Sequence, residues 1–329
     1  MLTRRHLIAL TAVQALTPNL FIRETRAQAP KTDFPNKPVR VIVPVAAGGP
    51  TDIVARMLAD SLSKMWGQQV FVENKGGAGT NIGNEYAARS DPDGYTVLFA
   101  TSSLAVNTSL YRSLSYDPVA DFAPVSLVTE LGYFVFVPNS SPAKTMKEFI
   151  AHAKANPGKL TMASPGTGSA PFLAEMLFLQ MAGLQMTHVP YRGASPAFND
   201  LIPGRVDCYF GSGQLLSYSR SGQVRVLASS GAKRDAAAPE VPTIAEAGVP
   251  GYKVTAWQAL FAPARTPPEI VRKISADTVT ALADPAIKDK LAATGYEAGG
   301  SSPEALEKLL KSEIIQWSTV IKSIGLKID

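Results

Sequence analysis

The chain has 329 residues, 46% of them hydrophobic and 18% charged, with a formal net charge of +5. No run of five or six like charges occurs, and aromatic residues are not interleaved with basic ones, which argues against a nucleic-acid surface. The single cysteine, Cys208, excludes an intramolecular disulfide, so stability must come from a buried core.

Residues 1–27 read as a cleavable secretory signal rather than as fold. "TRRHLI" carries the Arg4-Arg5 pair, a short apolar run follows from Leu7, and small residues at Thr25 and Ala27 suit cleavage after Ala27. The paired arginines lean toward the twin-arginine route. This segment holds four Arg and one Glu, which is +3 of the formal +5, so a mature chain from Gln28 is near +2. That balance suits a small anion better than a polyanion. No later segment reaches the roughly 18 apolar residues of a membrane span.

After the entry "DFPNKP", strand and helix patterns alternate. "VRVIVPV" predicts a buried strand, and "TDIVARMLADSLSKMWG" a helix with Ile53, Val54, Met57, Leu58 and Leu62 on one side, ended by Gly67. "QQVFVEN", the loop "KGGAGTN" and a short helix follow, then the strand in "DPDGYTVLFATSS". A strand ending at Pro138 marks a boundary, and the alternation restarts after "AKTMKEFIAHAKANPG". "GYKVTAWQALFAPARTPP" predicts a second crossing strand, followed by helices over 268–283, 286–293 and 303–324. This order predicts an α/β fold of parallel sheets covered on both faces by helices.

The two halves show a weak internal duplication of elements. "AAGGPT" and "KGGAGTN" join strand to helix in the first, and "SPGTGS" and "YRGASP" in the second. Ligands of open parallel sheets lie beyond the carboxyl ends of the strands, so two facing halves bring up to four helix N-termini to one cleft. Small residues let peptide N–H groups approach an anion, and each helix N-terminus adds about half a positive charge. Thr51, Asn81, Thr167 and Ser169 offer further donors. Asp52 complements the helix dipole or accepts from a ligand hydroxyl or ammonium, and Arg192 is the cation of the "YRGASP" loop.

Other chemistries lack parts. "GTGSAP" and "GGAGTNIG" both miss the dinucleotide fingerprint, and no phosphate-loop motif G-x-x-x-x-G-K-[ST] occurs. Past the leader the histidines are His152, in a charged helix, and His188, in a strand; neither has a Cys or His partner at metal-ligand spacing. "GASPA" falls short of a nucleophile elbow. Cys208 reads as a small buried hydrophobe. Binding without chemistry is the expectation, with no cofactor and no metal.

"FPNKPVRVIVPVAAGGPTDIVAR", "VENKGGAGTNIGNEYAARSDPDGYTVLFAT", "SPGTGS", "VPYRGASPAFNDLIPGRVD" and "TAWQALFAPARTP" closely resemble the Bug-type solute receptors of the tripartite tricarboxylate transporter family, in order and from about Phe34 to the C-terminus. The resemblance implies a type II periplasmic-binding-protein fold: two α/β lobes, two crossover segments and a cleft. It divides the chain into a signal peptide (1–27), a first lobe (28–136 plus 257–329) and a second lobe (137–256). It implies a periplasmic location and a small organic carboxylate held by backbone N–H groups. The matching positions are Ala46, Ala47, Gly48, Gly49, Thr51, Asp52 and Asn81 in the first lobe. In the second they are Ser164, Gly166, Thr167, Gly168, Ser169, Ala170, Tyr191, Arg192 and Gly193. The implied partners are membrane permease subunits; a sensory module docking on a membrane kinase ectodomain, or a cleft-carboxylate hydrolase or lyase of the same fold, are the alternatives, and a monomer is expected because no long amphipathic stretch is left without an intramolecular role. Pro171 and Phe172 stand where the family commonly has a His, which predicts a less polar wall.

Overall fold

The structure, a computed structural model, describes residues 33–191 and 193–327; the expected signal peptide and Arg192 lie outside the described residues. In the first half β1 (Val39–Val43) leads into α1 (Pro50–Trp66), β2 (Val70–Asn74) into α2 (Asn81–Ala88), and β3 (Thr96–Thr101) into α3 (Ser103–Leu110). A strand of 17 residues, β4 (Phe122–Pro138), then crosses to the second half. There α4 (Met146–Ala155) precedes β5 (Thr161–Ser164), α5 (Ala170–Ala182), β6 (Thr187–Pro190) and α6 (Ala194–Leu201). The half is completed by β7 (Cys208–Ser212), α7 (Leu216–Arg220) and β8 (Val224–Ser229). The return strand β9 (Thr255–Pro263) is followed by α8 (Pro268–Ala283), α9 (Pro285–Ala293), β10 (Glu297–Ala298) and α10 (Pro303–Ser323).

The strand–helix alternation yields the parallel pairs expected of it, β1 with β2 and β3, and β5 with β6 and β7. The expectation of purely parallel sheets is corrected at the centre. There β9 runs antiparallel to β3 and β4, and β4 antiparallel to β7, β8 and β10. The reason is connectivity: one strand carries the chain outward and its neighbour carries it back, so they oppose one another. Along β4 the partner changes from β9, up to Gly132, to β7 and β8 from Tyr133 onward.

Apolar periodicity places the helices. On α1, Val54, Ala55, Leu58, Ala59 and Leu62 are buried against Val39, Val41 and Val43, while Ile53 is 48% exposed, one position off the predicted face. Prolines open α8, α9 and α10, where a missing N–H costs nothing. A second cluster joins Ile42 and Leu98 through Phe122, Trp257 and Trp317 to Phe149, Phe178, Cys208 and Phe210, so one core runs through both halves. Cys208 is fully buried, and burial pushes its thiol well above the ordinary range, in line with a packing role.

Trp257 of β9 and Trp317 of α10 both donate their indole N–H to Glu313 Oε2, at 2.8 and 3.3 Å. Burial raises the Glu313 carboxyl to about 7, against the lowering pull of the two indoles and of Lys253, with Glu130 adding to the rise. Between the ordinary value of 4.5 and about 7, the folded protein keeps a proton that the unfolded chain has released. This group's contribution is therefore complete below the unfolded value and is lost as pH rises through the folded one. Glu313→Gln is expected to flatten this part of the stability profile, read by urea unfolding under tryptophan fluorescence at several pH values. An unchanged profile would remove Glu313 as its source.

Candidate functional site

At the carboxyl end of β1 the loop of Ala46, Ala47, Gly48 and Gly49 turns into α1 with Thr51 and Asp52 in the first helical turn. Ala46, Ala47 and Gly48 are exposed, whereas Asp52 is 3% exposed and points beneath the loop. Asp52 Oδ2 accepts from Gly48 N at 2.9 Å and from Arg56 Nε at 3.0 Å, and Oδ1 accepts from Asn74 Nδ2 at 2.9 Å. Asn74 also donates to Val45 O and accepts from Arg56. Burial opposes the charge on Asp52, but Arg56, the Gly48 N–H and Asn74 outweigh it and hold the carboxyl below its usual value. Asp52 thus holds the loop from below.

The second corner lies at once beside the first. A Cβ on Gly76 would stand 3.1 Å from Ala46 N, tighter than ordinary van der Waals contact, so glycine there lets the β2–α2 loop come this close without displacing the first corner. Ala78 (φ 46°) and Thr80 (φ 85°) occupy the left-handed region, a strained choice for residues with a side chain. Asn107 of α3 holds them there, donating to Gly79 O at 2.8 Å and Asn81 Oδ1 at 2.7 Å. Tyr116 Oη also donates to Asn81 Oδ1 at 2.8 Å, and Asn84 donates to Thr80 Oγ1 and Tyr116 Oη. The Asn81 carbonyl oxygen is consumed by this network.

The second half repeats the first corner in backbone geometry. Gly48 and Gly168, each one residue ahead of a helix N-cap, both have φ 83°, which demands glycine. The N-caps that follow, Gly49 and Ser169, are both extended, and Ser169 Oγ accepts from Phe172 N. Ser164, at the end of β5, is buried; its Oγ lies 2.7 Å from His188 Nε2 and accepts from Gly166 N. Thr167 and Ala170 are exposed at the rim. Tyr191 N donates to Ser164 O, and Gly193 N to Pro165 O, which locks the β6–α6 loop against the β5–α5 loop. The Tyr191 hydroxyl is turned to Asp200 Oδ2 at 2.8 Å, and Asp200 pairs with Arg205.

Phe172 is 5% exposed, with its ring 4.5 Å from that of His188, so it packs into the second half beneath the loop. Burial lowers the His188 value, which favours the neutral ring beside Ser164. Asn74, Asn107 and Tyr116 are supports that the loop motifs do not announce. Asn107, a lone amide in the apolar run "SLAVNTSL", is the signal that was available. Also unforeseen is Gln258 of β9, whose side chain reaches Thr51 Oγ1 at 3.1 Å.

The peptide N–H groups in the first turn of a helix have no intrahelical acceptors. At α1 this leaves the Thr51 and Asp52 N–H groups, Pro50 having none, and at α5 the Ala170 N–H, because Pro171 has none and Phe172 N bonds Ser169 Oγ; these are donors for an acceptor-only group, on loops held from below. No cluster of three or more His, Cys, Asp or Glu poised for a metal occurs among the described residues. Asp52→Asn keeps the shape but removes the charge that draws in Arg56 and Gly48. It is expected to cost about 1–3 kcal/mol in denaturant unfolding and to release the Gly48 amide to faster hydrogen exchange. Unchanged exchange at Gly48 would show that Asp52 does not hold the loop.

A sequence model described as the tripartite tricarboxylate transporter family receptor, TctC, matches residues 54–326. Protein BugT of Bordetella pertussis is 34% identical over 314 residues, covering 94% of this chain and 96% of BugT. The structure of R. palustris Rpa4515 with adipate is similar at a TM-score of 0.72 and 35% identity, covering 90% of this chain and 100% of that one. MatC (Rpa3494) from Rhodopseudomonas palustris with bound malate is similar at a TM-score of 0.68 and 33% identity, covering 88% and 100%. The architecture is that of a type II periplasmic binding protein, two α/β lobes with a cleft, joined by crossing segments. With a family match over most of its length, the chain belongs to the tripartite tricarboxylate transporter receptor family, the Bug-type receptors, as a solute-binding protein rather than an enzyme.

Proposed function

We propose that this protein is a periplasmic receptor that closes two lobes on a small organic carboxylate and presents it to the permease subunits of a tripartite tricarboxylate-type transporter. The observation that carries this reading is the repeated corner: Gly48–Gly49 at α1 and Gly168–Ser169 at α5, with matching backbone geometry at the carboxyl ends of β1 and β5. The α1 corner presents the Thr51 and Asp52 N–H groups and the α5 corner the Ala170 N–H, and a carboxylate accepts without donating. Adipate in Rpa4515 and malate in MatC support the ligand class.

In this reading Ala46 to Thr51, the Asn81 corner, Ser164 to Ala170 and Tyr191 to Gly193 surround the ligand, while Asp52 and the Asn81 carbonyl oxygen brace their loops. The lobes comprise residues 28–136 with 257–329, and residues 137–256; the change of partner along β4 at Gly132 and Tyr133 supports a division close to this. Closure of such lobes about their hinge is the usual motion on ligand capture. The mature chain starts at Gln28 after export, acts as a monomer and needs no cofactor.

The test is a thermal-shift screen of the mature protein against di- and tricarboxylates, amino acids and aromatic carboxylates, with adipate and malate included. An acid at a hundredfold its Kd adds about 2.7 kcal/mol and is expected to raise the midpoint by a few degrees. The acid should be recovered unchanged, and deleting the gene should abolish its uptake. A panel without any shift would overturn carboxylate binding, consumption of the acid would overturn the receptor reading, and undiminished uptake would remove the transport role.

A further inference from the structure

Between the α1 corner and the crossing strands lies a polar cluster that the loops themselves do not require. Gln258 of β9 is 4% exposed. Its Nε2 donates to Thr51 Oγ1 at 3.1 Å and to Tyr296 Oη at 3.3 Å, and its Oε1 accepts from Thr129 Oγ1 of β4 at 3.0 Å. The preceding residue, Trp257, projects to the other face of the strand, where Glu313 holds its indole. Gln258 is therefore anchored on three sides, and its strand is anchored from behind.

A threonine hydroxyl has one proton and two acceptor positions. Because Gln258 donates into Thr51 Oγ1, the Thr51 proton must point to another acceptor. Thr51 is half-buried in the first turn of α1, where neighbouring peptide N–H groups lack intrahelical acceptors. We infer that Gln258 is a positioning residue for ligand capture, fixing the Thr51 hydroxyl as a donor to the ligand carboxylate at the α1 corner and tying that corner to the crossing strand β9. The inference rests on the carboxylate reading above and adds to it a side-chain donor and the residue that orients it.

A double-mutant cycle tests this on the mature protein, by isothermal titration with adipate, malate and any acid that shifts the unmodified chain. Gln258→Leu and Thr51→Val are each expected to weaken binding about tenfold or more, as for a hydrogen bond to a charged group. On the Thr51→Val background, Gln258→Leu should cost less than about twofold further, because its effect passes through that hydroxyl. Thr51→Ser, which keeps the hydroxyl, should bind nearly as the unmodified protein does, and circular dichroism checks that each variant folds. Equal losses from Gln258→Leu on both backgrounds, or no loss in either single variant, would overturn the inference while leaving carboxylate binding intact. If no acid binds the unmodified chain, the carboxylate reading itself falls, and the role of Gln258 with it.

Discussion

A site that grips its ligand through peptide N–H groups has to be rigid before the ligand arrives, and holding its loops takes up some of those donors, as Asp52 does with Gly48 N and Ser164 with Gly166 N. Short glycine-rich loops are poor at this alone, because glycine gives up more conformational freedom than any other residue. Here the rigidity comes from side chains below the loops. Asp52 with Arg56 and Asn74 holds one corner, Asn107 and Tyr116 hold the next, and Ser164 with His188 holds the third. The arrangement has a cost. Ala78 and Thr80 sit at positive φ, and the buried Asn84 Oδ1 has no protein partner. Such a cost is tolerable where the surrounding bonds over-determine the conformation, as the three bonds converging on Thr80 and Asn81 from Asn84, Asn107 and Tyr116 do.

The crossing strands connect this local rigidity to the whole molecule. β4 lies beside β9 with register shifts between Pro124 and Ser126 and between Leu127 and Thr129, and beside β8 with one between Val135 and Phe136. Bulges of this kind bend and twist a strand, so β4 is bent on either side of the change of partner at Gly132. β9 supplies the complementary firmness through strand alternation. Trp257 is tied to α10 on one face while Gln258 is tied to α1 on the other. The α1 corner is thereby bonded directly to the return strand, whose other face is bonded to α10.

Much of this fold was legible in the sequence because its elements are strongly patterned. The alternation of apolar strands, glycine loops and amphipathic helices places β1, α1, β2, β5 and α5, and prolines mark the starts of α8 to α10 within a residue or two. The direction of the central strands was not legible. A run such as "TAWQALFAP" looks the same whichever way its neighbour points, and only the return path of the chain decides. The glycine loops announced themselves, but their supports did not. Asp52, Asn74 and Asn107 come from three separate segments, and a single sequence shows that each is polar without showing what it faces. Phe172 illustrates the converse error. Its position beside "GTGS" suggested a wall of the cleft, whereas the helix turns its ring inward onto His188.

The same division between loops and supports accounts for how little the corners say about ligand identity. Peptide N–H groups recognise a carboxylate oxygen and are indifferent to the rest of the acid. Rpa4515 with adipate and MatC with malate are nearly equally similar to this chain, although one acid is longer and the other carries a hydroxyl. The common architecture therefore cannot be what selects between them. Selection has to come from side chains that reach the cleft without being needed to hold a loop. In the site proposed above Thr51 has that role: its backbone belongs to the α1 corner, but its hydroxyl accepts from Gln258, which is bonded in turn to Thr129 and Tyr296. Changes at those distant positions can alter how the hydroxyl is presented while the glycine corner keeps its shape, so that specificity can drift while the grip on the carboxylate is preserved.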